Sequence, residues 1–249
     1  VTAPVFLADP GSLEAVAGGS VVHLTGAEAR HAVSVRRLQA GERVDLVDGS
    51  GRRAAGAVSR IGGPAEIEVL IDDVRDEPPP QVRITVVQAL VKGDRAEAAV
   101  EMLTEVGADE IVPWSAERCV AVWRGEKAVR GPQRWAAVVA AAGKQSRRAR
   151  FPLVAPLATT AEVAARLQVA ALPLVLHEEA ALRLSSMAVP AAGEVVLVVG
   201  PEGGISDREL AAFAQAGALT VRMGASVLRT STAATAAASV VLARSGRWD

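Results

Sequence analysis

The side chains with most chemical content stand in two turns late in the chain of 249 residues. In the first, Gly200, Pro201, Glu202, Gly203 and Gly204 follow the apolar run that starts at Val195, and Ile205, Ser206 and Glu209 lead out of it. Glycines let the backbone approach a ligand closely, and proline stiffens the turn and removes a donor. A phosphate cradle fits these residues badly. No Gly-Lys-Ser/Thr follows, no lysine or arginine sits in the turn, and the Glu202 carboxylate repels phosphate. Backbone amides and carbonyls suit a neutral or cationic ligand such as an adenosyl group. The same residues also suit a plain strand-to-helix turn, with Ser206 and Glu209 as a capping box.

The second turn favours the ligand. Arg229 lies between the apolar pair Val227 and Leu228 and the hydroxyl run Thr230, Ser231 and Thr232, beyond which an alanine-rich helix begins. Burying a guanidinium costs several kcal/mol unless it is paired, and the helix dipole disfavours a cation at a helix start. Stability therefore gives little reason for an arginine there, and a substrate-facing role is expected.

Both turns end a β-branched apolar run and open a helix. The positioning elements are thus strands of one parallel sheet, with the turns at its carboxyl edge, where open α/β sheets bind ligands. Upstream, V-F-L-A, S-V-V-H-L, R-V-D-L-V-D, A-A-G-A-V and E-I-E-V-L-I are short strands between glycine turns, which predicts a small β-barrel from Val1 to about Asp73. Asp76 to Gln81, D-E-P-P-P-Q, reads as a stiff linker. Beyond it V-R-I-T-V-V-Q-A-L-V opens an alternation of strand and helix. Ala99, Met102, Leu103 and Val106 form a helical stripe read as core packing. A dinucleotide-type fold carries its glycine turn after the first strand; here the first strand leads to V-K-G-D-R and the glycines come near the end.

Composition narrows the chemistry. Half the residues are apolar, yet no run is long enough for a membrane span, and no secretion signal is visible, so a soluble cytoplasmic protein is expected. One cysteine excludes an intramolecular disulfide, and Cys119 with His23, His31 and His177 offers no zinc spacing, so no metal is expected. Cys119 reads as a packed residue after the strand Glu110 to Trp114, which argues against thiolate attack on a pyrimidine. The net charge of −1 does not suggest a nucleic-acid protein, but three basic clusters do: Arg30, His31, Arg36 and Arg37; Arg52 and Arg53; and Lys144, Arg147, Arg148 and Arg150. Aromatic residues are too few for a stacking platform.

The pair G-P-E-G-G and M-G-A-S-V-L-R-T-S-T-A resembles the C-terminal signature of the RsmE family, adenosylmethionine-dependent methyltransferases of the SPOUT superfamily that make N3-methyluridine in 16S ribosomal RNA. Further likeness runs through Arg30 to Gly51, Val86 to Arg95, Glu105 to Gly107, Ser115 to Val120 and Ala141 to Arg148. Ala225 departs from the usual proline, Ser231 from a frequent glutamate, and Lys144 from a frequent acidic residue. The resemblance implies an α/β fold: a PUA-like RNA-binding β-barrel over residues 1–74 and a Rossmann-like SPOUT methyltransferase domain over residues 82–249 with a deep trefoil knot. S-adenosyl-L-methionine is then expected among three loops. These supply Leu176, His177 and Glu178; Gly200, Pro201, Glu202, Gly203, Gly204 and Ile205; and Met223, Gly224, Val227, Leu228, Thr230, Thr232 and Ala233. Arg229 is expected to hold the base and stabilise charge on it. Glu202 is the nearest carboxylate, read first as orienting the loop and second as a proton acceptor. RNA contacts are expected from Arg30, His31, Arg36, Arg37, Lys92, Arg95, Arg118, Gln145, Arg147 and Arg148. A homodimer acting on the small ribosomal subunit is implied. A 2'-O-ribose methyltransferase of the same superfamily and a non-catalytic ribosome-assembly protein are the competing readings.

Overall fold

The computed structural model describes residues 2–93 and 95–249; Asp94, within the expected V-K-G-D-R turn, and Val1 lie outside the described residues. The chain forms two compact units, Val1–Pro79 with Ala140–Phe151, and Pro80–Val139 with Pro152–Asp249. The return of residues 140–151 to the first unit had no signal in composition, since it comes from the end of a helix that starts in the second.

In the first unit, strands β1 (Val5–Leu7), β2 (Val21–Thr25), β3 (Arg43–Val47), β4 (Arg52–Gly63) and β5 (Glu66–Asp76) fall where the short apolar runs placed them. Alternation sets their faces: in β2, Val22 and Leu24 are buried while Val21, His23 and Thr25 are exposed. The sheet is mixed, in the order β1-β3-β4-β5-β2, with β1 parallel to β3 and the other pairs antiparallel. Its hydrogen-bond ladder leaves β1 and β2 as edges, so the expected barrel does not close among the described residues. Phe6 of β1 and Leu24 of β2 nevertheless share one core cluster, so both edges face a common interior. Helix α1 (Gly26–Arg30) continues into a π-turn, His31–Val35, whose Ala32 is buried.

The second unit is a seven-stranded parallel sheet. Its strands are β6 (Val82–Ala89), β7 (Glu110–Trp114), β8 (Leu153–Val154), β9 (Leu172–Leu176), β10 (Leu182–Arg183), β11 (Gly193–Val199) and β12 (Leu219–Arg222), in the order β10-β12-β9-β11-β6-β7-β8. Helices α2 (Arg95–Val106), α3 (Glu126–Gln145), α4 (Thr160–Val169), α5 (Asp207–Gln215) and α6 (Thr230–Arg244) complete the chain. Central strands read as continuous apolar runs because both faces are covered; Val195 to Val199 are all buried. Ala99 and Leu103 of the α2 stripe are buried, as the periodicity predicted. Helix α6 packs on α2, β6 and β11 through Ala234, Ala237, Ala238, Val241 and Leu242. Beyond it, Arg247 donates to Asp109 Oδ2 at 2.5 Å and to the Gly107 carbonyl at 3.2 Å, while Asp109 Oδ2 also accepts the Ile84 amide at 2.8 Å. This partly buried pair fixes the segment after α6 against the start of β6. Among the described residues no helix is long and apolar enough to cross a membrane.

Candidate active site

The parallel sheet puts three loops side by side, because β12, β9 and β11 are consecutive in it. The loops leaving their carboxyl ends line one cavity of about 880 Å³, which includes Leu176, His177 and Glu178 after β9. Pro201, Glu202, Gly204 and Ile205 line it after β11, and Met223 to Leu228 with Thr230 and Ala233 after β12. Of the residues expected around a cofactor, only Gly203 and Thr232 stand outside this lining.

The glycine turn owes its residues to space and to backbone angle. A Cβ at Gly200 would lie 2.6 Å from Cγ1 of Ile205, closer than packed atoms tolerate. Gly204 has φ of +74°, the left-handed region that glycine enters without penalty, and its amide returns to the Pro201 carbonyl at 2.9 Å. Gly203 faces Arg118: a Cβ there would lie 3.1 Å from Cβ of Arg118, whose Nη1 donates to the Gly203 carbonyl at 3.3 Å. Arg118, expected on RNA, thus braces the turn.

Behind the turn, Ser206 and Glu209 form the expected capping box of α5, and Glu209 does more. Its Oε1 accepts the Glu117 amide at 2.8 Å and the Thr160 hydroxyl at 3.0 Å, and the Ser206 hydroxyl lies 2.7 Å from Glu117 Oε2. Four polar groups on β7–α3, α4 and α5 segments therefore hold the exit of the turn. Sequence reasoning found the cap but missed Glu117, for its partner lies 92 residues away. His177 lines the cavity, and its Nδ1 accepts the Glu179 amide at 3.3 Å.

Arg229 requires a correction. It is the N-cap residue of α6, extended in backbone, and its side chain is exposed rather than buried. The burial cost that made its presence odd does not arise; what remains is its place on the rim of a second cavity. That cavity, about 570 Å³, is lined by Val91, Arg95, Glu202, Val227, Leu228, Arg229 and Ser231, and so shares Glu202, Val227 and Leu228 with the first. Glu202 is exposed, and among the described residues its carboxylate makes no hydrogen bond or ion pair. A loop-orienting role through such a bond has no partner. Lys92 stands beside Arg95 and Glu202 in an adjoining groove.

Cys119 is half-buried against the second unit's core, and burial pushes its thiol above the usual range. Burial thus disfavours the thiolate that covalent attack on a base needs.

Two family models match the chain: an RNA methyltransferase domain over residues 77–242 and an RNA methyltransferase PUA domain over residues 24–72. The ribosomal RNA small subunit methyltransferase E of Mycobacterium bovis is 46% identical over 93% of this chain and 89% of its own. The chain belongs to the RsmE family of RNA methyltransferases. The Bacillus subtilis member is 25% identical over 88% of both chains. Among solved structures, a Legionella pneumophila putative methyltransferase in complex with the cofactor SAM is similar at TM-score 0.86 and 27% identity, covering 98% of each chain. The Neisseria gonorrhoeae methyltransferase E bound to S-adenosyl methionine gives 0.84 and 26%, covering 97% of this chain and 98% of its own.

The three basic clusters differ in what their side chains do. Arg30, His31, Arg36 and Arg37 are all exposed, and Arg37 holds a φ of 54°, unusual for a residue with a side chain. Arg52 and Arg53 are not free for RNA. Arg52 donates to Asp76 at 2.7 Å and to the Leu13 and Val16 carbonyls, and Arg53 to Asp45 at 3.0 Å and to the Arg147 carbonyl. Both side chains stitch the first unit together. In the third cluster Lys144 pairs with Glu28 and Arg150 donates to the Glu77 carbonyl at 2.7 Å. Gln145 and Arg147 are exposed and Arg148 is partly buried.

Proposed function

We propose that this RsmE-family chain transfers a methyl group from S-adenosyl-L-methionine to N3 of a uridine in 16S ribosomal RNA. The observation that carries the reading is the single cavity built by the loops after β12, β9 and β11. Its lining suits this donor: a turn of close-approaching backbone for the adenosyl group, Val227 and Leu228 for its apolar faces, and Glu178 and Glu202 against Arg222 for a net-cationic ligand. The bound donor supplies an electrophilic methyl carbon. Leu176 to Glu178, Gly200 to Ile205, and Met223, Gly224, Val227, Leu228, Thr230 and Ala233 hold and orient it, with Gly203 and Thr232 acting through the loops they belong to. Arg229 holds the base and stabilises the negative charge that spreads over its oxygens. N3 lies on the pairing edge, so the uridine must be unpaired or extruded.

RNA binding is assigned to residues 1–74, through Arg30, His31, Arg36 and Arg37, joined by Lys92, Arg95, Gln145, Arg147 and Arg148. Methyl transfer is assigned to residues 82–249. Insertion of β11 between β6 and β9, with α6 returning to α2 and β6, supports a knotted course of the trefoil kind. A cytoplasmic homodimer acting on the small subunit completes the reading.

Nucleoside mass spectrometry of 16S RNA from a deletion strain, with and without the restored gene, tests it. N3-methyluridine should vanish and return. A restored 2'-O-methyl mark instead moves the chain to ribose chemistry, and no restored mark with no calorimetric adenosylmethionine binding marks a non-catalytic assembly protein.

A further inference from the structure

The second cavity carries three charged side chains, Arg95, Glu202 and Arg229, over the apolar residues Val91, Val227 and Leu228. All three charged residues are exposed, and among the described residues none of them forms an ion pair. Structural salt bridges elsewhere in this unit are made by other arginines, such as Arg247 with Asp109 and Arg166 with Glu110. Unspent charges converging over an apolar floor are the signature of a polar ligand with a flat apolar face.

The kinds of group present define that ligand. Two guanidiniums only donate hydrogen bonds and an ionised carboxylate only accepts them. The pairing edge of uracil is the complement: acceptor O2, donor N3–H, acceptor O4. Cytosine offers acceptor, acceptor, donor on the same edge, which leaves a carboxylate facing a lone pair and a guanidinium facing an amine. The place of the acceptor is as informative as its kind. Glu202 is the one carboxylate of this cavity among the described residues and also lines the cofactor cavity, so it stands where the two meet. An N3–H addressed to Glu202 is therefore addressed to the junction, where the nitrogen must be to receive a methyl group.

We propose that Arg95, Glu202 and Arg229 together read the imide edge of the target uracil, with Glu202 as the acceptor of the N3 proton. This rests on the N3 reading above. The N3–H bond breaks toward the Glu202 carboxylate, which takes the proton. The electron pair left on N3 forms the new N3–C bond, while the pair of the breaking carbon–sulfur bond stays on sulfur; Glu202 then gives the proton to water. Arg95 and Arg229 make the imide more acidic by stabilising the charge that reaches O2 and O4. Glu202 thus belongs to the reacting groups, and Arg95 becomes a specificity residue rather than a general phosphate contact.

The experiment uses small subunits lacking the mark and compares the parent with Glu202→Gln, which keeps an acceptor oxygen but cannot take a proton. Methyl transfer by the variant should fall roughly a hundredfold or more at neutral pH, the usual contribution of a placed base. It should then recover about tenfold for each pH unit raised, because solvent must ionise the imide first. The thermal midpoint should match the parent, which checks that the turn is intact, and rates are compared at saturating adenosylmethionine because Glu202 also lines the cofactor cavity. A second variant, Arg95→Met, should lose roughly tenfold or more in rate with cofactor affinity unchanged. A Glu202→Gln profile parallel to the parent's, or within threefold of it, overturns the proton-acceptor role. An unchanged rate in Arg95→Met overturns the reader. If the parent's product is a ribose methyl, the underlying N3 reading fails on its own, and mass spectrometry of the parent reaction separates that failure from the other two.

Discussion

Exchanging Arg229 for alanine removes a guanidinium from the cavity rim without breaking a side-chain bond among the described residues, because the side chain is exposed and makes no capping hydrogen bond. The variant should bind adenosylmethionine as the parent does, by calorimetry, and transfer methyl groups about a hundredfold more slowly or worse, the usual loss for one preorganised donor. Near-parent turnover would remove Arg229 from the chemistry. Single residues were legible where their type is dictated by backbone: Gly200 by its contact with Ile205 and Gly204 by its positive φ. Charged residues were legible only in part. Arg36 and Arg52 look alike in sequence, yet one is exposed and the other is tied to Asp76 and two carbonyls, the Leu13 carbonyl 39 positions away. Long-range partners of that kind leave no local pattern, and the same reason hid the Glu117–Glu209 bond.

Helix α4 opens with a second capping box, in which the Thr159 hydroxyl accepts the Glu162 amide and Glu162 accepts the Thr159 amide at 2.7 Å. That backbone bond, followed by the Thr159 hydroxyl, holds the Glu162 carboxyl below its usual range. A depressed carboxyl stabilises the fold above its unfolded value, about 4.3, and the contribution is lost as pH falls through the lower folded value. Glu162→Gln should therefore melt below the parent at neutral pH, and scanning calorimetry should show the gap closing in acid; a gap unchanged at pH 3 would contradict the linkage. Most strand runs of both units were visible from alternation or apolar continuity, but the two-residue strands β8 and β10 were not. The pairing order was not visible either, since register depends on partners more than a hundred residues apart, as in β6 with β11.

At the scale of the whole molecule, α6 has alanine on nearly every side. With Ala234, Ala237 and Ala238 buried, Ala233, Ala236 and Val240 remain half-exposed, and Val227 before the helix is 79% exposed. A helix apolar all round is normally covered all round, so light scattering at micromolar concentration should give twice the 25.6 kDa of one chain. A monomer would rule the assembly out. Replacing Arg36 and Arg37 together by alanine should weaken RNA binding and flatten its salt dependence while calorimetric cofactor affinity holds, since counterion release follows the phosphate contacts made. Unchanged RNA affinity would leave that cluster as a solvated face.

The position of β11 in the sheet has a consequence for synthesis. The strand joins β6 to β9, so the two halves of the sheet cannot pair across the centre until residues 193–199 have been made. A chain growing on a ribosome carries the inner edge of β6 open from Ala89 until Gly193 is made, and that of β9 from Leu176, so the cavity-forming loops have no common frame until the middle of the sheet arrives late. Pairing at such separation is slow, and unpaired edges attract other chains. Closure of the sheet's centre and protection of its inner edges are therefore reached in the same late event, before the last cavity loop, after β12, is made.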